Sequence, residues 1–203
     1  MTQNEAEGVS RLLNPGDTVP LKSLDPTATR LVIAAGWDII GFEDNGVDVD
    51  LSAFMLNTAG QTRIDSDFVF YNNESSAEGA VMFGGDNRTG AGDGDDETLL
   101  IDLNKMPMDI SSVSIVLSVY AGDLRDHSFR KIRNSFVRLV SADRQAELAR
   151  LNLDPLITDN GAATALIPLI LERDISGWAI RAACDFNHGG LGKIAGDVGI
   201  EII

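Results

Sequence analysis

Gly84-Gly85-Asp86-Asn87-Arg88-Thr89-Gly90-Ala91-Gly92-Asp93-Gly94-Asp95-Asp96-Glu97 is the stretch from which the rest of the chain is read. Glycine is costly inside a helix, and Asp there competes with the backbone for hydrogen bonds. Both residue types are also depleted in strands. The stretch is therefore a loop. Its carboxylates repel one another, with only Arg88 as a local countercharge. A solvated acidic loop is the plainer reading of such a run. A hard divalent cation is the more specific one, since Ca²⁺ takes about six to eight oxygen ligands from carboxylates, amides and backbone carbonyls. Gly90, Gly92 and Gly94 would let the backbone turn carbonyls inward. An EF-hand is excluded. Arg88 and Gly90 fill ligand positions, Ala91 replaces the turn glycine, and no helices flank the loop.

The flanks read as strands. Ala80–Phe83 leads into the loop, and Leu99, Ile101 and Leu103 alternate with Leu100 and Asp102 after it. Leu31–Trp37 is an apolar run fit for a buried strand, with Asp38 directly behind it. Asp48–Asn57 and Asp65–Tyr71 read as further strands. Val113, Ile115, Leu117 and Val119 alternate with a more polar set, which predicts a strand with one polar face. Phe136–Val140 and Ala146–Leu153 form a strand pair, and Asp154–Gly161 reads as a loop. Ala162–Glu172 suits helix or strand, with Pro168 arguing against an unbroken helix. Trp178, Ile180, Ala182, Cys184 and Phe186 share one strand face. Thr18–Leu21 reads as an edge strand, Gly189–Gly199 as holding a short helix, and Ile200–Ile203 as a last strand.

Many short strands separated by turn signals indicate an all-β fold: an antiparallel β-sandwich of two sheets, with long loops at one end and short helical turns. Residues 1–8 read as a disordered tail and 9–203 as a single domain. The 203 residues are enough to bury a sizeable core. A net charge of −15 argues against nucleic acid as a direct partner, because phosphate binding needs Lys and Arg clusters. It favours cations or basic partners. Cys184 stands alone, so no internal disulfide forms. No secretory signal is visible, and no uncharged apolar run reaches the about 18 residues of a membrane span. The expectation is a cytoplasmic protein without an integral membrane segment.

Four stretches carry a family resemblance. Gly85-Asp86-Asn87-Arg88-Thr89-Gly90-x-Gly92-Asp93-Gly94-Asp95-Asp96-Glu97 resembles the signature of the tellurium-resistance (TerD-type) stress proteins. Asp67-Phe68-Val69-Phe70-Tyr71-Asn72-Asn73 is similar to that family too. So are Gly36-Trp37-Asp38 and the run from Asp48 to Leu56. The resemblance implies a β-sandwich that binds two Ca²⁺ ions in a stress response, without a known catalytic reaction. The chain departs from the family pattern at 121–130 and 183–191, where Ala121–Arg130 and Ala183–Leu191 replace the usual segments.

Loops at one end of a sandwich converge. Asp38, Asp48, Asp50, Asp65 and Asp67 would then meet the acidic loop, with Asp65 the weakest of the set. The metal set is Asp38, Asp48, Asp50, Asp67, Asp86, Asn87, Asp93, Asp95, Asp96 and Glu97, which offers more oxygens than one Ca²⁺ takes. His127 and His188 lack zinc-site spacing with Cys184 and read as surface or loop histidines. Cys184 reads as a core thiol whose pKa is raised by burial and by Asp185. Gly189-Gly190-Leu191-Gly192-Lys193 lacks the spacing of a phosphate loop and reads as a turn before a helix. The expected function is a non-enzymatic calcium-binding protein in which the ion orders the loop, for structure or for contact with other proteins of a stress-response complex. The rivals are a divalent-metal enzyme acting on a phosphate-containing substrate and a structural scaffold.

Overall fold

Alternating apolar residues set the strands. In the computed structural model, residues 10–41, 47–86 and 94–201 are described, with the backbone alone at 86, 123 and 124. The strands are β1 (Arg11–Leu12), β2 (Thr18–Pro20), β3 (Arg30–Ile39), β4 (Val49–Asn57), β5 (Phe68–Val69) and β6 (Val81–Asp86). They continue with β7 (Glu97–Asp102), β8 (Ile110–Val119), β9 (Ile132–Ser141), β10 (Ala146–Asn152), β11 (Ala165–Asp174) and β12 (Gly177–Asn187). Among the described residues four short α-helices accompany them: α1 (Leu21–Leu24), α2 (Gly122–Arg125), α3 (Asp154–Asn160) and α4 (Gly190–Asp197), the last of these following β12.

The strands form two six-stranded sheets, β1-β10-β9-β3-β7-β6 and β2-β12-β11-β8-β4-β5. Every pairing between these strands is antiparallel except β1 with β10. Leu31, Ile33 and Ala35 of β3 and Leu99 and Ile101 of β7 share one buried core with Leu51 of β4, Val113, Ile115 and Leu117 of β8 and Leu169 and Leu171 of β11. The expected antiparallel β-sandwich is therefore the architecture found. Its strands carry inward-facing aliphatic residues at period two, and the two inner faces bury each other. Among the described residues no helix is long and apolar enough to cross a membrane.

Several local expectations are corrected. Asp65–Tyr71 is not one strand. A 3₁₀ turn at Asp65–Asp67 precedes the two-residue β5, because Asp67 bonds back to the Arg63 backbone and guanidinium. Asp154–Gly161 is not a loop but contains α3. Pro155 lies in its first turn, where no backbone N–H is needed, and Asp154 accepts bonds from the N–H groups of Asn134 and Ser135. Ala162–Glu172 resolves as strand. Pro168 sits where the β11–β12 register shifts, and the longer side of that bulge holds Cys184 at φ 57. Ile200 and Glu201 are not in a strand, and Ile202 and Ile203 lie outside the described residues.

The polar face of β8 is not open to water either. Ser114 and Ser118 are buried, and Val116 packs with Phe54, Phe68, Ala165, Ile194 and Ala195, so α4 covers this face of the sheet.

Candidate functional site

The acidic stretch is the loop of the β6–β7 hairpin, since Asp86 and Glu97 are register partners. Its returning stem is tied to β3. The Asp96 N–H donates to the Ala35 carbonyl, and the Trp37 N–H donates to Asp96 Oδ2 at 2.8 Å. Gly36 is what permits this approach. A Cβ on it would lie 2.6 Å from the Gly94 carbonyl oxygen and 2.7 Å from the Phe136 ring. The glycine of Gly36-Trp37-Asp38 thus lets the loop backbone rest directly on the strand.

Glu97 shares the inward face of β7 with Leu99 and Ile101 and is only 2% exposed. Its Oε2 accepts from the Leu51 N–H of β4, which ties one sheet to the other at the mouth of the sandwich. Those bonds gather the end of β3, the start of β4 and the stem of the loop at one end of the molecule. Asp38 and Asp95 stand beside Asp96 there, Glu97 follows on the inward face, Asp48 lies just before β4, and Asp50 faces outward with Ser118 on the side of the β4–β8 sheet away from the core.

The charges are not evenly settled. Asp96 is 5% exposed, and its carboxyl is pushed above the usual range, first by burial and then by the neighbouring charges of Asp38 and Asp95. Asp95 is paired in fork geometry with Arg138, at 2.8 and 2.7 Å. Asp38 accepts a 2.6 Å bond from Asn134 Nδ2. Arg138 and Asn134 had no sequence signal, since they stand on β9, far along the chain. Gly36 did have one, as a glycine inside an apolar strand.

Asp67 is not brought to this end. It is fully buried and held by Arg63 through both carboxylate oxygens, and Arg63 also pairs with Asp109 just before β8 begins. The start of β8 lies opposite the end of β4, away from Asp48 and Asp50. Asn87 and Asp93 lie outside the described residues, as does the side chain of Asp86. Among the described residues, no group of three His, Cys, Asp or Glu side chains is placed to hold a metal by itself. The donor set at the loop stem still fits a hard cation in kind. It is carboxylate oxygen, crowded and partly dehydrated, with one member whose charge is disfavoured where it sits.

The other candidates are quieter. His127 is buried rather than on the surface, and His188 is exposed. Cys184 is half-buried against the core, its thiol pushed up to about 11 by burial and by Asp185. It is a poor nucleophile at neutral pH. The run from Gly189 to Lys193 is a turn entering α4.

Comparison with known proteins agrees with this architecture. The TerD domain family model matches residues 10–197. The chain is 37% identical over 189 residues to the tellurium resistance protein TerD of Serratia marcescens, covering 93% of this chain and 97% of that protein. It is 35% identical over 192 residues to general stress protein 16U of Bacillus subtilis, covering 94% and 97%. The crystal structure of a homologue of telluride resistance protein (TerD) from Streptomyces coelicolor A3(2) superimposes with a TM-score of 0.68. It is 20% identical and covers 83% of this chain and 95% of that one, a likeness of fold.

Proposed function

The chain belongs to the TerD domain family, and from that premise we propose that it is a non-enzymatic calcium-binding protein of a stress response. Its relatives are tellurium-resistance and general stress proteins. In this reading Ca²⁺ neutralises the hairpin loop and orders it, for structure or to complete a surface for other proteins of a stress-response complex.

The observation that carries the reading is Asp96. It is a buried carboxylate, fixed by the Trp37 N–H, at the foot of an acidic glycine-rich loop and crowded by Asp38 and Asp95. Such a group favours a cation, because an ion relieves both the burial cost and the repulsion. Asp38, Asp95, Asp96 and Glu97 would contribute from the stem, Asp48 from just before β4, and Asp86, Asn87 and Asp93 from the loop. Together they offer oxygens enough for two ions. Asp50 leaves the proposed set, because it faces Ser118 on the outer side of its sheet. Asp67 leaves it too, because its carboxylate is engaged by Arg63.

Calorimetric titration with Ca²⁺, using Mg²⁺ as competitor, tests the proposal. A glycine-rich loop with irregular oxygen ligands suits Ca²⁺, whereas Mg²⁺ demands a near-octahedral shell and dehydrates reluctantly. The expected result is binding of Ca²⁺ at least about tenfold tighter than Mg²⁺. No Ca²⁺ heat would remove the proposal. Equal affinity for Mg²⁺ or Mn²⁺ would favour a metal-dependent enzyme instead.

A further inference from the structure

A second feature lies on the far side of the β4–β8 sheet from the core. Phe54 and Phe68 stack at 4.3 Å between ring centroids, Phe68 and Phe70 stack at 4.4 Å, and Tyr71 meets Phe70 edge-on at 5.3 Å. Where α4 stops covering this face, two adjoining hollows of about 310 and 670 Å³ share Phe68, Phe70, Tyr71 and Tyr120 as walls. The smaller is floored by Asp50 and Ser118, which face each other across β4 and β8, and is closed by the glycine-rich entry to α4. The larger is rimmed by Asp65, Asn72, Asn73 and Glu201. Volumes in this range take a side chain or a short segment, not a folded element.

The chemistry of the walls selects the occupant. The groove's rim carries the carboxylates of Asp65 and Glu201, and among the described residues lining it there is no Lys or Arg. The whole chain has a net charge of −15. An anion would meet those carboxylates, so the start of α4 is a poor phosphate cradle here. A neutral apolar group would bury them without an ionic partner. A flat cation satisfies both features, because a guanidinium stacks on an aromatic face while its N–H groups reach a carboxylate. The molecule already shows this preference at the groove's edge, where the Arg125 guanidinium lies 5.3 Å from the centre of the Tyr120 ring.

We propose that this groove is a docking site for an arginine side chain presented by an extended segment of a partner protein. The guanidinium lies against the Phe70, Tyr71 and Tyr120 rings and pairs with Asp65 or Glu201. The inference goes beyond the calcium reading and does not rest on it.

The test is an NMR titration of the full chain that follows its aromatic ring signals. The probes are three acetylated, amidated pentapeptides, Gly-Ser-X-Ser-Gly, with X as arginine, lysine or citrulline. Citrulline keeps the shape of arginine and loses the charge. The arginine peptide is expected to shift the Phe70, Tyr71 and Tyr120 signals, equally in Ca²⁺ and in chelator. Lysine should bind more weakly, and citrulline at least about tenfold more weakly. Tyr120 is 44% exposed and Asp65 is exposed too, so Tyr120→Ala and Asp65→Asn should leave the melting temperature near wild type while weakening the arginine peptide severalfold. Citrulline binding as well as arginine would overturn the proposal and mark an apolar groove. Shifts confined to Trp37, beside the 86–97 hairpin, would overturn it and mark general attraction between a basic peptide and an acidic protein. Absence of shifts up to the solubility limit of the peptide, or unchanged binding by both variants, would also overturn it.

Discussion

Two places in this sandwich bury carboxylates, and they handle the charge in opposite ways. Near the start of β8, Asp67 is fully buried, and Arg63 supplies its countercharge through a backbone N–H and a forked guanidinium, with Glu78 and Asp109 on the same arginine. At the hairpin end, Asp96 and Glu97 are buried on backbone N–H groups, and Asp38 and Asp95 add like charge beside Asp96. Arg138 stands outside that group, on Asp95. The first cluster carries its cation within the chain. For the second we propose a cation from solution. Burial of acid is thus not by itself a metal signal, and the kind of partner built around it separates the two cases.

Breaking the first cluster gives the largest effect. Asp67→Ala leaves Arg63, only 18% exposed, without its buried partner. Loss of one half of a buried pair should cost about 3 kcal/mol or more. Urea unfolding should show the same loss in Ca²⁺ and in chelator, because the pair needs no ion. A loss that Ca²⁺ repairs would merge the two clusters and undo the contrast.

Asp95→Asn probes the border of the second. Its partner Arg138 is 30% exposed and Asp95 is 22% exposed, so solvent screens the pair. The variant should lose about 1 kcal/mol or less in chelator, and less still at high salt. A much larger loss, unchanged by salt, would make Asp95 a structural residue and weaken its place in the proposed ion site.

The smallest effect is on the pH profile of the metal-free protein. A carboxyl raised above its ordinary value keeps its proton in the native state after the unfolded chain has lost its own. For Asp96 the native state therefore loses stability as pH rises through the interval above 3.8, and the loss persists at neutral pH. Asp96→Asn should remove that part of the profile. Superimposable profiles for wild type and variant, measured by denaturant unfolding from pH 4 upward, would show that Asp96 is not strained by its neighbours.

How much of this was legible in sequence follows from where the determining partners stand. The continuous apolar run Leu31–Trp37 and the alternation over Val113–Val119 mark buried strands by themselves, so the sandwich could be read directly. The hairpin loop was visible because glycine and Asp exclude regular structure. Asp67 looked like a ligand because it begins a family-like run, yet Arg63 four residues earlier was a local sign of an ion pair. α3 was hidden because its start depends on Asp154 capping N–H groups in β9. The same holds for Arg138 and Asn134 at the hairpin. Strand register brings them in from more than 35 residues away, and nothing local to the loop records that.

The central claim, that the hairpin end of the molecule takes its cation from solution, is tested most directly by paired melts of wild type and Asp96→Asn, in Ca²⁺ and in chelator. A ligand bound only to the folded state stabilises it by roughly 2.7 kcal/mol at a hundredfold excess over Kd. Wild type should therefore melt higher in Ca²⁺. Asp96→Asn should be no less stable than wild type in chelator, since burial cost and repulsion fall, and should lose most of the Ca²⁺-dependent shift. Identical wild-type curves in Ca²⁺ and chelator, or an undiminished shift in the variant, would contradict the account.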